Sequence, residues 1–229
     1  MLQQTQVERV IPYYENFLRE FPTLRSLAHS SLARVLRVWQ GLGYNRRAKY
    51  LHEAAQQIMV EHHGIVPATY EDLRALPGVG DYTARAVRTF AWNEPEIFIE
   101  TNIRTAFIHH FFPHQEQVLD SQLHSYMSAV LDREKPLEWY WALMDYGSFL
   151  KRTVGNVSKR SRHHVPQKPF KGSDREIRGA ILRAVSRRPH SLEELCALPF
   201  PTVRIKKQTQ ALLTEKLITF RVPWYTLPN

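Results

Sequence analysis

The chain has 229 residues, of which 43% are hydrophobic, so it is long enough for one large or two small domains with a sizeable core. Its formal net charge of +9 favours a polyanionic partner, nucleic acid before a membrane surface, although charge alone leaves open an ordinary basic enzyme. The single cysteine, Cys196, excludes a disulfide framework and a cysteine-held metal cluster, and no apolar run approaches the roughly 20 residues of a membrane span. No secretory signal is visible, so we expect an intracellular protein.

Residues 1–150 carry apolar residues at helical spacing, with no convincing alternation at period two. This part is therefore predicted to be all α-helical, and no capping residue precedes the first stripe, so the chain is expected to open inside a helix. The predicted helices cover residues 7–17, 32–39, 48–59, 69–76, 82–92, 101–112, 119–131 and 139–150.

Residues 151–172 are basic and irregular. The segment has no aspartate or glutamate, and its glycines and prolines disfavour regular structure. Two interpretations stay open, a solvated linker and a linker that lies on phosphates, because basic clusters serve both. The basic residues are Lys151, Arg152, Lys159, Arg160, Arg162, Lys168 and Lys171.

Residues 173–229 form a second predicted unit. Three short helices, beginning near Ser173, Ser191 and Thr202, are followed by two β-rich runs on either side of Pro223. This order resembles a winged helix, in which the third helix is the usual groove reader. Such domains also bind proteins, so recruitment of a protein partner stays open beside DNA binding.

A glycine hairpin lies between two of the predicted helices, with the sequence Leu76-Pro77-Gly78-Val79-Gly80-Asp81-Tyr82-Thr83-Ala84. A tight glycine turn before a helix exposes backbone N–H groups at the helix N-terminus, which is a site for one phosphate group. On a basic protein we expect that phosphate to belong to DNA.

Five motifs in family order and spacing resemble the helix-hairpin-helix DNA glycosylases, and most of all the MutY-type adenine glycosylases. They are Met1-Leu2-Gln3-Gln4-Thr5-Gln6-Val7, Gly41-Leu42-Gly43-Tyr44, Leu76-Pro77-Gly78-Val79-Gly80, Asn102 before Ile103-Arg104, and Leu143-Met144-Asp145-Tyr146-Gly147. The resemblance implies a mainly α fold: a glycosylase helical region over residues 1–150, a basic linker over 151–172 in place of an iron–sulfur loop, and a winged-helix-like α+β domain over 173–229.

The resemblance also implies which residues bind double-stranded DNA. A glycosylase must extrude its base and fill the gap that it leaves, and family resemblance gives this wedge role to Gln3, Gln4 and Tyr44. Backbone carbonyls of Arg74, Leu76 and Val79 are implied to hold Na+ or K+. The full DNA-binding set is Gln3, Gln4, Thr5, Tyr44, Arg46, Arg47, Gly78, Val79, Gly80, Tyr82, Thr83 and Asn102.

For catalysis, the resemblance implies that Glu100 stabilises the positively charged sugar, in a position where the family has an aspartate. Glutamate is one methylene longer, so its carboxylate needs some backbone adjustment to serve there. The family's proton donor is a glutamate two residues before the Met-Leu-Gln-Gln motif, a place that precedes Met1. Either the natural start lies upstream of Met1 or the chain has lost this acid, and both alternatives stay open.

Relatives that also cut the DNA backbone carry a Schiff-base lysine where this chain has Tyr82. The resemblance therefore implies a monofunctional glycosylase acting as a monomer at genomic DNA, with adenine opposite 8-oxoguanine or guanine as the favoured base. Relatives typically hold an iron–sulfur cluster with four cysteines after the position of Gly147, and because no cysteine stands there in residues 151–171 we expect no cluster. Two other functions stay open: a non-catalytic DNA-binding protein and a thymine or uracil mismatch glycosylase.

Overall fold

The computed structural model describes residues 1–3, 5–166 and 169–229. Within these ranges the chain is mainly helical, with one two-stranded sheet, as the sequence predicts. The helices are α1 (Val7–Glu20), α2 (Leu24–Ala28), α3 (Leu32–Val38), α4 (Arg46–Glu61), α5 (Tyr70–Ala75), α6 (Asp81–Trp92), α7 (Thr101–Phe111), α8 (Asp120–Val130), α9 (Pro136–Thr153), α10 (Asp174–Arg187), α11 (Leu192–Cys196) and α12 (Thr202–Thr214).

The chain folds into two compact units. The first unit comprises Met1–Val66, Leu76–Gly78 and Lys168–Asn229, and the second comprises Pro67–Ala75 and Val79–Gln167. The compact units divide the chain differently from the predicted domain limits at residues 150 and 172. Those limits stay a prediction.

In the first unit, one hydrophobic cluster combines residues from both ends of the chain. Phe17 of α1 and Trp39 after α3 belong to the same buried cluster as Ile181 of α10 and Leu212 of α12. Burial of large apolar side chains is the main favourable term in folding, so the amino-terminal helices and the carboxy-terminal elements share one core.

In the second unit, the core lies around α7. Ile103 and Ile108 of α7 are completely buried, together with Leu123 and Met127 of α8 and Tyr140 of α9. This core fixes α7, whose first turn carries the candidate catalytic residue.

The carboxy-terminal order of three helices and a strand pair is confirmed. Ser191 caps α11 through a capping box with Glu194, as its position before an apolar run indicates. Strands β1 (Thr219–Arg221) and β2 (Trp224–Thr226) pair antiparallel, with Phe220 opposite Tyr225.

One local prediction was wrong, and one short helix was missed. The first helix begins at Val7 rather than at the start of the chain, because Gln6 adopts an extended conformation and breaks the pattern. The short helix α2 was not predicted; Thr23 begins it through a reciprocal capping box with Ser26.

The predicted basic linker contains regular structure in part of residues 151–162. Lys151 and Arg152 belong to α9, and a 3-10 helix covers Val157–Arg160. Arg160 donates to the backbone oxygens of Phe112 (2.9 Å) and Pro113 (2.6 Å) just beyond the end of α7. The guanidinium thus satisfies carbonyl groups that the end of the helix leaves open.

Among the helices of the described residues, none is long and apolar enough to cross a membrane.

Candidate active site

Glu100 caps the amino-terminus of α7. Its Oε1 accepts hydrogen bonds from the backbone N–H groups of Asn102 (2.5 Å) and Ile103 (3.1 Å). Two amide donors and the positive end of the helix dipole both favour a negative charge here. The longer glutamate side chain therefore curls back onto its own helix, and its carboxylate is held at the first turn.

The segment before Glu100 is held by Tyr140 of α9. The Tyr140 hydroxyl donates to the backbone oxygen of Glu96 (2.9 Å) and accepts from the backbone N–H of Phe98 (3.2 Å). The rings of Tyr140 and Phe98 also stack at 4.0 Å. Since Tyr140 is fully buried, this anchor sets the direction in which the chain enters the first turn of α7.

Helix α9 approaches that first turn closely. A Cβ atom at Gly147 would meet the backbone oxygen of Asn102, so only glycine allows this approach. One turn later, Lys151 Nζ donates to Asn102 Oδ1 at 2.5 Å. Burial lowers the pKa of Lys151 and so does the charge of Arg104, while the Glu100 carboxylate partly opposes them.

Tyr82 lies in the first turn of α6, and its ring packs edge-on against Phe98 with 5.7 Å between centroids. Burial, and then the negative charge of Glu100, raise the pKa of Tyr82 to about 12. The second unit thus brings together three predicted site residues, Tyr82, Glu100 and Asn102.

Asp81, in the first turn of α6, links the two helices of the glycine hairpin, α5 and α6, through hydrogen bonds. Its Oδ1 accepts from the Tyr70 hydroxyl of α5 (2.6 Å) and from Arg85 Nε of α6 (3.1 Å). The Tyr70 hydrogen bond is also the largest cause of the lowered pKa of Asp81. This network fixes the angle between α5 and α6.

The two hairpin glycines differ. Gly78 has φ +74°, and a Cβ there would strike the Tyr50 side chain, so glycine is required. Gly80 is the N-cap of α6 in an extended conformation, with no side-chain hydrogen bond to the helix. Because the capping residue has no side chain, the first-turn amides stay available for an anion. Val79 and Thr83 flank this turn and are half-buried.

The candidate cation site stays a prediction. Arg74 Nη1 lies 3.5 Å from the backbone oxygen of Val79, a weak hydrogen bond that leaves that carbonyl a second lone pair. A 4Fe–4S cluster does not fit this chain, since such clusters take four cysteine thiolates and Cys196 is the only cysteine. Among the described residues, no group of three or more histidine, cysteine, aspartate or glutamate side chains is arranged to hold a metal ion.

The first unit contains the loop that ends in Tyr44. This residue has φ +48°, unusual for a non-glycine residue, and its side chain is 37% exposed. Trp39 Nε1 donates to the backbone oxygen of Gly43 (3.2 Å), and Arg9 donates to that of Gly41. The loop is therefore held at several points while the Tyr44 ring remains partly accessible.

Arg47 was predicted to contact DNA, which stays a prediction, and the structure shows which groups its side chain bonds within the first unit. Its Nη1 donates to the backbone oxygens of Met1 (2.9 Å) and Gln3 (2.6 Å). Its Nη2 reaches Thr5 Oγ1 and the Gly43 oxygen, each at 3.3 Å. The two terminal nitrogens of this half-buried guanidinium bond within the protein, whereas Nε is buried without a hydrogen-bond partner among the described residues. Arg47 therefore ties the amino-terminal segment to the loop.

The other predicted residues of this unit remain candidates. Gln3 is exposed, Thr5 is half-buried, and Gln4 lies outside the described residues. The Arg46 side chain is 59% exposed, and its Nε lies 3.6 Å from Glu215 Oε2. It is therefore accessible to a phosphate.

Sequence reasoning missed two residues. Lys151 was counted only as part of a basic linker, although its position four residues after Gly147 places both on one face of α9. Arg175 of α10 was not singled out, yet its Nη1 donates to the Tyr44 hydroxyl at 2.9 Å. No local pattern connects residues 131 positions apart.

Comparison with known proteins agrees with this geometry. Residues 1–128 match the family model described as HhH-GPD superfamily base excision DNA repair protein. An adenine DNA glycosylase of Mycobacterium tuberculosis is 33% identical over 241 residues, which is 96% of this chain and 79% of that protein.

Solved structures give the same fold. A thermostable thymine-DNA glycosylase superposes with a TM-score of 0.55 at 20% identity, covering 64% of this chain and 69% of that chain. An endonuclease III–DNA complex gives a TM-score of 0.51 at 17% identity, covering 74% and 73%. The chain belongs to the HhH-GPD superfamily of base excision DNA repair proteins. Within that class it is a DNA glycosylase, a hydrolase of N-glycosidic bonds.

Proposed function

We propose that this glycosylase removes adenine opposite 8-oxoguanine or guanine from double-stranded DNA, as a monomer and without cutting the strand. The observation that carries the proposal is the Glu100 carboxylate fixed at the first turn of α7. The name of the mycobacterial relative supports adenine as the base. A repair glycosylase works where genomic DNA is, so we place its action inside the cell.

Glu100 acts on the sugar. When the N-glycosidic bond breaks, its electron pair leaves with the base and C1′ of the deoxyribose becomes an oxocarbenium-like cation. A preorganised carboxylate stabilises that cation. Water then adds to C1′ and loses a proton while the departing base takes one up, which leaves an abasic site and the free base. Among the described residues, both hydrogen bonds to the carboxylate go to Oε1. The capping bonds thus orient the group while its charge remains available.

Tyr82 supports hydrolysis without strand cleavage. A phenol cannot form the Schiff base that a lyase needs. Its pKa of about 12 also keeps the hydroxyl protonated at neutral pH. Tyr82 thus supplies no amine for C1′, and water is the proposed nucleophile.

In the proposed complex, the glycine hairpin binds one DNA phosphate. The open amides of the first turn of α6 suit a phosphate oxygen. Na+ or K+ held by the carbonyls of Arg74, Leu76 and Val79 would add positive charge at the hairpin. This contact carries no base specificity, and it holds the duplex while a base is extruded.

Gln3, Gln4 and Tyr44 are the proposed wedge. Tyr44 is the part that the structure describes best, a half-exposed ring on a loop anchored by Trp39 and Arg47. A planar ring can fill the gap left by an extruded base, which lowers the cost of unstacking.

The proposal is tested by single-turnover base release from four duplexes containing A·8-oxoguanine, A·G, G·T or G·U. We expect release of adenine from the first two duplexes, with alkali-labile rather than cut strands. Release of thymine or uracil instead of adenine contradicts the proposed substrate, and tight binding without any release contradicts the proposed catalysis.

A further inference from the structure

The ring of Tyr44 lies near one cation that follows it closely in the chain and one that is distant in sequence. The guanidinium carbon of Arg47 lies 5.6 Å from the ring centroid and that of Arg175 lies 5.5 Å from it. Arg175 also reaches the hydroxyl, with Nη1 to Oη at 2.9 Å. It thus holds the tip of the side chain, whereas Arg47 anchors the base of the loop through Gly43.

Arg175 occupies a position that local preference disfavours. It lies in the first turn of α10, where Asp174 and Glu176 suit the positive end of the helix dipole and an arginine does not. Its half-buried side chain is directed to a residue 131 positions earlier in the chain. An arginine in the first turn of a helix is unfavourable next to the positive end of the helix dipole. Because the Arg175 side chain donates to the phenol oxygen of Tyr44, we infer that it acts on Tyr44.

The first turn of α10, which carries Arg175, is held in place by contacts with neighbouring elements. Asp174 Oδ1 accepts from Arg204 Nη2 of α12 at 2.6 Å, and Arg204 Nη1 donates to the Gly172 oxygen at 2.9 Å. The following residues on the inner face of α10, Ile177 and Ile181, are fully buried. The first turn of α10 is therefore fixed to both the core and α12.

We propose that Arg175 is a positioning residue for Tyr44. Through Arg175, the carboxy-terminal helices would contribute to base flipping. This inference rests on the proposed function. Arg175 holds the phenol so that the ring enters the DNA stack in one orientation, and it acts through Tyr44 rather than on DNA directly. A direct phosphate contact by Arg175 is the competing explanation.

A double-mutant cycle separates the two explanations. Wild type, Arg175→Ala, Tyr44→Ala and the double variant are compared by the fluorescence rise of 2-aminopurine placed as the target base, at saturating protein, and by single-turnover adenine release. The fluorescence reports unstacking and needs no bond cleavage. Arg183→Ala, an exposed arginine on the same helix, is the matched control for loss of one positive charge.

We expect Arg175→Ala to lower both the fluorescence rise and the release rate about tenfold, because a hydrogen bond and a cation–π contact are lost together. Arg183→Ala should stay within about twofold of wild type. In the Tyr44→Ala background, Arg175→Ala should change neither quantity by more than about twofold. Melting temperatures confirm that the variants fold, and Arg175→Gln replaces Arg175→Ala where alanine does not fold.

The proposal is overturned if Arg175→Ala matches wild type, or if it costs the same factor with and without Tyr44. It is also overturned if wild type does not unstack 2-aminopurine. Absence of adenine release by wild type with a normal fluorescence cycle contradicts the proposed substrate and leaves the role of Arg175 supported.

Discussion

Gly147 lies directly against the backbone oxygen of Asn102, so α9 meets the first turn of α7 with no space for a methyl group. Lys151, one turn further along α9, binds the Asn102 side chain through its ammonium group. Both contacts bear on the residue that donates its backbone N–H to Glu100. The position of the candidate catalytic carboxylate therefore depends on the packing of these two helices.

Gly147→Ala should destabilise the protein and slow base release. The added methyl group meets backbone, which cannot move aside as a flexible side chain can, and overpacking costs about 1–3 kcal/mol. For a chain of this size, each kcal/mol lowers Tm by about 2–4 °C. Thermal unfolding and single-turnover release measure the two effects.

Gly179→Ala is the control for that variant. Gly179 lies in α10, where an added Cβ meets only the flexible end of Arg183, and alanine is favoured over glycine in a helix by about 1 kcal/mol. This variant should be as stable as wild type or more so. Equal stability of Gly147→Ala and wild type would show that the close approach of α9 to α7 is not required.

Lys151→Met should lower activity without lowering stability. The pKa of Lys151 is lowered by burial, so at neutral pH the folded state bears a cost for keeping the ammonium charged, and this cost is relieved as the pH rises through the lowered pKa. An apolar side chain removes that cost, and it also releases Asn102. We expect an unchanged or higher Tm with release about tenfold slower, and a lower Tm at full activity would contradict this role.

Tyr82→Lys should add strand-cleaving chemistry. An amine next to Glu100 can attack C1′ of the abasic product, lose water and form a Schiff base, which borohydride reduces to a stable protein–DNA adduct. Wild type and the amine-free control Tyr82→Phe should give no adduct. An adduct with wild type that disappears in Lys151→Met would assign the amine to Lys151 and refute the monofunctional mechanism.

Arg46→Ala should weaken DNA binding, whereas Arg47→Ala should lower the thermal stability of the protein. Arg46 is exposed, and its loss should weaken DNA binding and reduce the slope of log K against log salt by about one, with Tm unchanged. Arg47 bonds to four acceptors within the unit, so its loss should lower Tm by several degrees. Binding isotherms at four salt concentrations, with thermal melts, test the pair, and an unchanged Tm for Arg47→Ala contradicts its structural assignment.

Periodicity predicted the long helices well, because an amphipathic helix shows its buried face in the spacing of apolar residues. Residues 82–92 and 101–112 correspond to α6 (Asp81–Trp92) and α7 (Thr101–Phe111). Helix α2 has only five residues and cannot show a period, although its Thr23–Ser26 capping pair is a local signal. Helices this short are predicted from their capping residues rather than from the spacing of apolar residues.

The candidate site was only partly predictable. The resemblance indicated Glu100, but not that its longer side chain caps α7, which is a matter of local geometry. Arg160 serves carbonyl oxygens 47 and 48 residues earlier, and Arg175 serves a phenol 131 residues earlier. Interactions of this range depend on the packed fold, so a basic residue in the sequence does not reveal whether it binds phosphate or protein.

The central claim is that the Glu100 carboxylate stabilises the sugar cation during adenine release, and single-turnover release by wild type and Glu100→Gln tests it most directly. The glutamine oxygen can still accept the N–H groups of Asn102 and Ile103, so the cap is kept and only the charge is removed. We predict a Tm lowered by no more than about 2–4 °C, because only the interaction of the charge with the helix dipole is lost, and unchanged DNA affinity with release slowed by about 10²–10³-fold. Release by Glu100→Gln at the wild-type rate would contradict the account.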